Sequence, residues 1–270
     1  MEKKIIGLGL LAGALAGSAS FLYARTQIAP LIAEAISYEE ARSHAAAGSS
    51  GEHAHEHEVF TRAVQENIGA GVGTVLFAII TGALFAVAVT VTLATLRRHR
   101  VSADPRLVAA LVAGAGFVSV AAVPWAAYPA NLPGVGQPET AGDRTTAYLT
   151  LIIASVALAA VAGTAALRMA PRIGGWVAAV SAGTGYLLAA SAVIAALPSY
   201  RETPSAITDS DGTVRFPGFP ADLLADFRSD ALICQALLWF VIAGSFAVLL
   251  PRASSTGRTA VSGGVLHAHR

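Results

Sequence analysis

The sequence predicts an all-α integral membrane protein, a bundle of six transmembrane helices with both termini in the cytoplasm. Of the 270 residues, 54% are hydrophobic and 13% are charged, whereas about a quarter of the residues in soluble domains are charged. Six apolar runs reach the roughly 20 residues that a helix needs to cross a bilayer. Most of the 18 Lys and Arg residues lie at the N-terminus, in short flanks or in the C-terminal tail. Because dense Lys and Arg mark cytoplasmic flanks, this distribution predicts the orientation.

The first predicted span covers residues 5–24. Its positive start and apolar middle are also typical of a signal peptide, but the run is long for one, so we expect a retained helix. Gly9, Gly13 and Gly17 recur every four residues. This spacing is typical of the small-residue contacts through which membrane helices approach each other closely.

The second and third predicted spans cover residues 68–96 and 107–127. The second is about 43 Å long at 1.5 Å per residue, so it must tilt or project from the bilayer. The turn between them, residues 97–106, reads RRHRVSADPR and is rich in arginine. This basic turn predicts a cytoplasmic connection.

The fourth and fifth predicted spans cover residues 146–168 and 175–197, and the short connection between them predicts an antiparallel hairpin. The sixth covers residues 232–250. Residues 1–250 are therefore predicted to form a single transmembrane domain. The tail, residues 251–270, is rich in Ser, Gly and Arg and is predicted to be disordered and cytoplasmic.

The connection between the first two spans, residues 25–67, is polar and is predicted to be an outer loop. In it, histidines alternate with acidic residues. The candidate metal ligands there are His53, His55, His57, Glu52 and Glu56. In an extended chain the three imidazoles share one side, whereas in a helix only the first and third do. Imidazole with carboxylate suits cobalt, nickel or zinc; the alternative is a solvated polar loop without metal.

Residues 124–144, PWAAYPANLPGVGQPETAGDR, contain four prolines and separate the third and fourth spans. Proline lacks a backbone donor and fixes φ, so the stretch predicts a rigid, non-helical cap on one membrane face. Trp125 and Tyr128 suit the headgroup region. Glu139 and Asp143, near the points where two spans surface, are further candidate metal ligands.

None of the six runs contains a charged residue or a histidine in its interior. Ion-coupled carriers and haem proteins usually place such residues at depth. We therefore expect the chemistry at the outer mouth, where Glu139, Asp143 and the aspartates of residues 222–230 would form a vestibule for a cation. For those aspartates, spaced by four, the alternative is the solvated side of an amphipathic helix that leads into the last span.

The chain has one cysteine, Cys234, and its only lysines are Lys3 and Lys4. These counts exclude an intrachain disulfide, a Cys-x-x-Cys pair and a P-loop ATPase. The sequence shows no pairing of a nucleophile with a base, so we expect neither enzymatic activity nor a cofactor. The net charge of +1 gives no indication of nucleic-acid binding.

The segment YPANLPGVGQPETAGDRT resembles the signature of the family of probable cobalt transporter subunits (CbtA). The first helix followed by IAPLIAEAISYEEA, the histidine-rich loop and FPADLLADFRSDAL also resemble that family, so the resemblance covers nearly the whole chain. The residues that match the family segment are Tyr128, Pro129, Asn131, Pro133, Gly136, Pro138, Glu139, Thr140 and Arg144. Ala127 stands where the family commonly has a basic residue.

The resemblance implies five or six membrane helices and a part in cobalt uptake, beside a small one-helix partner that carries histidines. We therefore expect a subunit of a bacterial plasma membrane that helps to take up a divalent transition metal, with Co²⁺ as the substrate and the outer loops capturing it. Its other partners would be the lipid bilayer and further copies of the chain in an oligomer. The alternative is a non-transporting scaffold or accessory subunit that binds metal or a partner protein.

Overall fold

Six helical stretches in the described part of the chain are long and apolar enough to cross a membrane, which confirms the predicted all-α membrane fold. The computed structural model describes residues 2–47, 69–200 and 202–250. The α-helices are α1 (Glu2–Tyr23), α2 (Ala29–Ala47), α3 (Ala70–Arg98), α4 (Pro105–Gly116), α5 (Val123–Ala127), α6 (Ala141–Ile173), α7 (Gly175–Ala196) and α8 (Ala221–Leu249).

The first helix is longer than the sequence predicted. It continues from α1 through a π-helical turn at Ala24–Ile28 into α2, so residues 25–47, expected to be part of an outer loop, are helical. The sequence of α2 is rich in alanine and glutamate, which are strong helix formers even where the segment is too polar to cross a membrane. The rest of the predicted loop, residues 48–67, lies outside the described residues.

Two π-helical turns allow the long helices to accommodate prolines. The turn at Ala24–Ile28 precedes Pro30, and the turn at Phe117–Ala122 precedes Pro124. A proline ring clashes with the carbonyl group four residues earlier, and it offers no N–H to bond that group. In both helices that carbonyl lies inside the π turn, where the wider hydrogen-bond pattern relieves the conflict.

The proline-rich stretch 124–144 is therefore helical at both ends, and the prediction of a wholly non-helical stretch was wrong. Pro124 lies in α5, directly after the π-helical turn that accommodates it. At the other end a short 3₁₀ turn covers Pro138–Thr140, and α6 begins at Ala141. The irregular part of the chain is confined to residues 128–137.

The helices α1 and α3 are in close contact through small residues. Gly13 on α1 lies against the backbone of Ala78 and Ile79 on α3. One turn further, Gly17 lies against Val75. A methyl group added at Gly13 would come within 2.8 Å of the Ile79 Cα atom, so a larger residue would separate the helices. The glycine stripe is thus the contact surface between these two helices, as small-residue spacing indicates.

The helix α8 packs against both α1 and α4 and completes the core of the bundle. Its Trp239 ring lies against Gly116 at the end of α4. Further along α8, the Phe246 side chain has no exposed surface and meets Phe85 of α3 edge to face, with the ring centroids 5.2 Å apart. The bundle core therefore combines small residues between α1 and α3 with aromatic residues around α8.

The helices α6 and α7 form the predicted antiparallel hairpin. Gly174, with a φ of +85°, makes the tight turn between them. Within the hairpin, the Ser155 and Tyr186 hydroxyl groups share a buried hydrogen bond of 2.7 Å. The hairpin joins the rest of the bundle mainly through α6. Large side chains on its outer faces, such as Ile153 and Leu188, are about 70% exposed, as expected of a surface that faces lipid.

The alternating helix directions bring three segments to the same end of the bundle. We define the cap as the described residues of 24–47, 128–140 and 197–230. The third segment includes a small antiparallel hairpin in which Ile207–Thr208 pairs with Val214–Phe216.

The cap has its own hydrophobic core, distinct from that of the bundle. Its buried residues are Ala35, Leu132, Val135, Phe219, Leu223, Leu224 and Phe227. At its edge, the Tyr38 ring on α2 meets the Phe219 ring at a centroid distance of 4.9 Å. The Tyr38 hydroxyl donates to the Pro217 carbonyl over 2.9 Å. The three segments thus fold onto one another.

Candidate functional site

The histidine cluster singled out in the sequence lies outside the described residues. It comprises His53, His55, His57, Glu52 and Glu56. The other two candidate ligands are described: Glu139 lies in the 3₁₀ turn, Asp143 lies in the first turn of α6, and both are exposed. In the described part of the chain, no three His, Cys, Asp or Glu side chains gather as a metal site. All seven candidate ligands therefore stay predictions.

The three aspartates that the sequence places on one helical face lie in the first turns of α8. The first two are exposed, whereas Asp230 is half-buried and accepts a 2.8 Å hydrogen bond from the Tyr23 hydroxyl of α1. One turn further along α8, the Cys234 thiol donates to the Ser20 carbonyl at 3.6 Å. This face of α8 therefore packs against α1, and its third aspartate is already engaged there.

The Glu202 side chain links the third cap segment, in which it lies, to the second. Its carboxylate accepts hydrogen bonds from the Gln137 backbone N–H at 2.8 Å and from the Thr140 hydroxyl at 2.9 Å. One of its oxygens lies 3.7 Å from the Arg144 guanidinium. The Gln137 N–H, with help from Thr140 and Arg144, holds the pKa of Glu202 below its ordinary value of 4.5, although burial opposes the shift. An ionised Glu202 therefore joins residues 128–140 to residues 197–220 at neutral pH.

Gly136 allows the chain to pass directly over Arg144. Its φ of +102° lies in the left-handed region, and a Cβ atom there would collide with the Arg144 guanidinium. The Gly136 N–H also donates to the backbone carbonyl of Glu202 over 3.0 Å. Both its backbone conformation and the space available therefore require glycine at this position.

Arg228 joins α8 to the same connection. Its Nε donates to the Ala130 carbonyl at 3.3 Å, and its Nη2 donates to the Asn131 side-chain oxygen at 2.7 Å. The backbone carbonyl of Arg228 in turn accepts a 3.0 Å hydrogen bond from Trp125 Nε1 on α5. One residue thus ties α5, the irregular connection and α8 together.

Tyr128 makes a third link across the cap. Its hydroxyl donates to the Pro198 carbonyl over 2.6 Å, and its ring centroid lies 6.3 Å from that of Tyr200. Burial, together with the neighbouring Tyr200 hydroxyl, raises the pKa of Tyr128 above its ordinary value of 10.0. The hydroxyl therefore keeps its proton, and its donor role, throughout the physiological range.

Next to these links lies a cavity of about 1220 Å³. Its walls include residues of the α6–α7 hairpin on one side and of α5 and α8 on the other. Among the described residues, the charged side chains that line it are Arg144, Glu202 and Arg228, which together carry a net charge of +1. A net positive charge in a partly desolvated space repels a divalent cation and attracts an anion. The cavity therefore suits an anionic occupant.

Sequence reasoning missed the importance of Glu202 and Arg228. Arg144 was noted as an ionisable residue of the outer mouth and as a match to the family segment, and the aspartates of residues 222–230 were weighed as possible cation ligands. The available signal was a charged residue beside each apolar run, because such residues need partners where a membrane begins. Which acid pairs with which base could not be read from spacing alone.

A model of the family described as "Probable cobalt transporter subunit (CbtA)" matches residues 2–251 of the chain. No curated protein matches the chain, and no solved structure matches it either. The match spans every helix that the structure describes, including the cap and the cavity.

Proposed function

This chain belongs to the family of probable cobalt transporter subunits (CbtA), and from that premise we propose that it is a membrane subunit that helps to import a divalent transition metal, with Co²⁺ as the first candidate. The family match over nearly the whole chain is the observation that carries the proposal. The six apolar helices agree with it, because they make the chain a multi-pass membrane protein. The family description names a transporter subunit rather than an enzyme, so it gives no support for an enzymatic function.

The orientation that we propose follows from the basic residues. Lys4 lies at the start of α1, and Arg97, Arg98 and Arg100 lie at the end of α3, which is the end of the bundle opposite the cap. Short flanks rich in Lys and Arg favour the cytoplasm. In a bacterial plasma membrane, both termini would then be cytoplasmic and the cap would face outward.

We propose that the histidine segment captures the ion at the outer side. His53, His55 and His57 lie in the part of the chain that connects α2 with α3, and both of those helix ends lie toward the cap. Imidazole nitrogens with carboxylate oxygens bind borderline divalent ions more strongly than they bind Mg²⁺ or Ca²⁺. The capture site would raise the local metal concentration beside the membrane.

The exposed carboxylates Glu139 and Asp143 would provide the next contact. They lie four residues apart where α6 begins, close to the helix N-terminus. Two exposed carboxylates attract a hydrated cation without removing its water, so binding there would be weak and fast. Deeper passage would require a path shared with a second copy or with a small histidine-bearing partner, because desolvating a divalent ion with neutral ligands is costly.

The second candidate function is a non-transporting accessory subunit that binds metal or a partner protein. The cavity favours this alternative, because its net charge of +1 does not suit a passing cation. The described part of the chain also gathers no set of three metal-ligating side chains. An accessory subunit would need only the outer capture residues and a docking partner.

Uptake of radioactive Co²⁺ into proteoliposomes would separate the two candidates. Wild-type protein would be compared with a variant in which His53, His55 and His57 are changed to alanine. The matched control changes His267 and His269 in the tail, which removes histidines from the predicted cytoplasmic side. We expect the first variant to need more cobalt for half-maximal uptake at an unchanged maximal rate, and the control to behave as wild type.

Two outcomes would contradict parts of this proposal. Uptake that is unaffected by the triple substitution would remove the capture role but leave transport standing. If purified protein binds Co²⁺ yet gives no flux, either alone or with a histidine-bearing one-helix partner, the accessory function would replace transport.

A further inference from the structure

The cavity beside the cap is polar at one end and apolar at the other. Arg144 and Arg228 lie at the cap end. Along α6 the lining continues from Arg144 to Ile152, which is roughly 12 Å deeper at 1.5 Å per residue. The lining of the deeper part is formed largely by apolar side chains, among them Phe77, Val120, Leu149, Ile152 and Leu232. Such a shape suits a molecule with a polar head and an apolar body.

The two guanidinium groups at the cap end retain hydrogen-bonding capacity. A guanidinium has five N–H donors. Arg228 uses two of them on Ala130 and Asn131, and Arg144 donates one to the Gln137 carbonyl at 3.2 Å. The Arg144 Nε is buried and has no hydrogen-bond partner among the described residues. Donors of this geometry are well matched to phosphate oxygens.

The size and charge of the cavity narrow the choice of occupant. About 1220 Å³ exceeds the roughly 300–1,000 Å³ of typical small-molecule pockets. Two arginines with one glutamate leave a net charge of +1, which a single phosphodiester group would neutralise. A free phosphate would fill only the polar end and would leave the apolar walls uncovered. An acyl chain covers such walls, and basic pockets between membrane helices are known to bind lipid headgroups.

We propose that this cavity binds one anionic phospholipid of the surrounding bilayer, with its phosphodiester between Arg144 and Arg228 and an acyl chain along Ile152. The lipid fills the gap between the α6–α7 hairpin and the rest of the bundle. It thereby supports a hairpin that otherwise joins the bundle mainly through α6. This site is independent of whether the protein transports metal.

Trp125 provides a probe, because it lines the cavity. The chain has three tryptophans, and the other two can be replaced as Trp176→Phe and Trp239→Phe. The protein is placed in phosphatidylcholine vesicles that contain brominated phosphatidylglycerol or, at the same mole fraction, brominated phosphatidylcholine. Bromine quenches tryptophan only on contact. We expect about fivefold preferential quenching by the anionic lipid, the size of effect expected from one arginine near a headgroup.

Substitutions at two neighbouring residues test the location without disturbing any bond in the cap. Ile152→Phe fills the apolar end of the cavity, whereas Ile153→Phe adds the same bulk to a side chain that is 70% exposed on the outer face. We expect the first to reduce the quenching by several-fold and the second to leave it unchanged. Arg144→Gln removes one of the two guanidinium charges that face the headgroup, together with the Arg144 contacts to Gln137 and Glu202, and should abolish the preference. Arg215→Gln, at an exposed arginine of the same cap, should preserve it.

The quenching measurement involves no cobalt, so its result does not depend on whether the protein transports metal. Equal quenching by the two brominated lipids would overturn the proposal. So would equal effects of the two isoleucine substitutions. A preference that millimolar inorganic phosphate abolishes would assign the site to a free anion. A bound phosphodiester lipid seen by native mass spectrometry, and lost in the Ile152→Phe variant, would support the proposal independently.

Discussion

Between α1 and α3 the backbones themselves touch at Gly13 and Gly17, whereas in the cap the space between segments is filled by side chains as large as Phe219 and Phe227. The two regions share one chain but are surrounded by different solvents. In a bilayer, apolar side chains gain nothing by leaving lipid for protein, so close van der Waals packing of small residues holds helices together. In the cap, water drives large apolar side chains together.

The hydrogen bonds show the same contrast. In α3 four threonine hydroxyls donate to their own helix, as Thr81 does to the Phe77 carbonyl at 2.9 Å. In the cap, side chains reach distant backbone groups, as Arg42 does to the Ser205 carbonyl at 2.7 Å. A helix satisfies its own backbone, while irregular segments near a membrane need partners supplied by side chains. The cap is consequently the region where a single polar substitution has long-range effects.

The largest expected effect contrasts one phenylalanine in each region. Phe219→Ala in the cap should lower the free energy of local opening by about 3–5 kcal/mol, because water replaces the ring. Phe246→Ala in the bundle should cost less, since its alternative surroundings are lipid rather than water. Hydrogen exchange of backbone amides in detergent or nanodiscs would measure both. Equal destabilisation by the two substitutions would mean that the hydrophobic effect does not contribute more to the cap than to the bundle.

A smaller effect is expected from the glycine stripe. Gly13→Val should destabilise the pairing of α1 with α3 by about 1–3 kcal/mol, because the new side chain meets the backbone of α3. Gly7→Val is the matched control, since a Cβ atom at Gly7 meets no other atom within 4 Å. Unfolding in mixed micelles would give both values. A Gly13→Val variant as stable as the control would show that the helices can separate at little cost.

The smallest expected effect concerns acid pH. The pKa of Glu202 is lowered in the folded state, chiefly by the Gln137 N–H, so its stabilising contribution is complete above the ordinary value of 4.5 and is lost as the pH falls through the lowered value. Spin labels attached at positions 139 and 206, in a Cys234→Ser background, would measure the distance between the two cap segments. The distribution of that distance should be broader in acid, once Glu202 is protonated, than at neutral pH. The Glu202→Gln variant should be broad at neutral pH already. A distribution that stays narrow in acid would contradict the role of the carboxylate.

Particular residues show why only part of the site could be predicted. The family segment around Tyr128 indicated the second of the three cap segments, and Gly136 is part of that family segment. Glu202 lay 65 residues from Gln137, and Arg228 lay 97 residues from Asn131, so no local spacing indicated either pairing. The same holds for the cavity, whose walls come from five helices, α3, α5, α6, α7 and α8, and from the two connections in the cap. The sequence analysis assigned α2 to a loop because the segment is polar, although its alanines and glutamates favour a helix.

The sequence by itself determined the six spans, the α6–α7 hairpin, the glycine stripe of α1 and the family. The physical reason is that bilayer thickness and backbone hydrogen bonding constrain each span locally, so apolar length and small-residue spacing suffice. The tertiary structure alone decided how the three cap segments meet, which acid pairs with which arginine, and where the cavity lies. Those features depend on the relative placement of helices that are distant in the chain, and that placement is set by packing rather than by any local pattern.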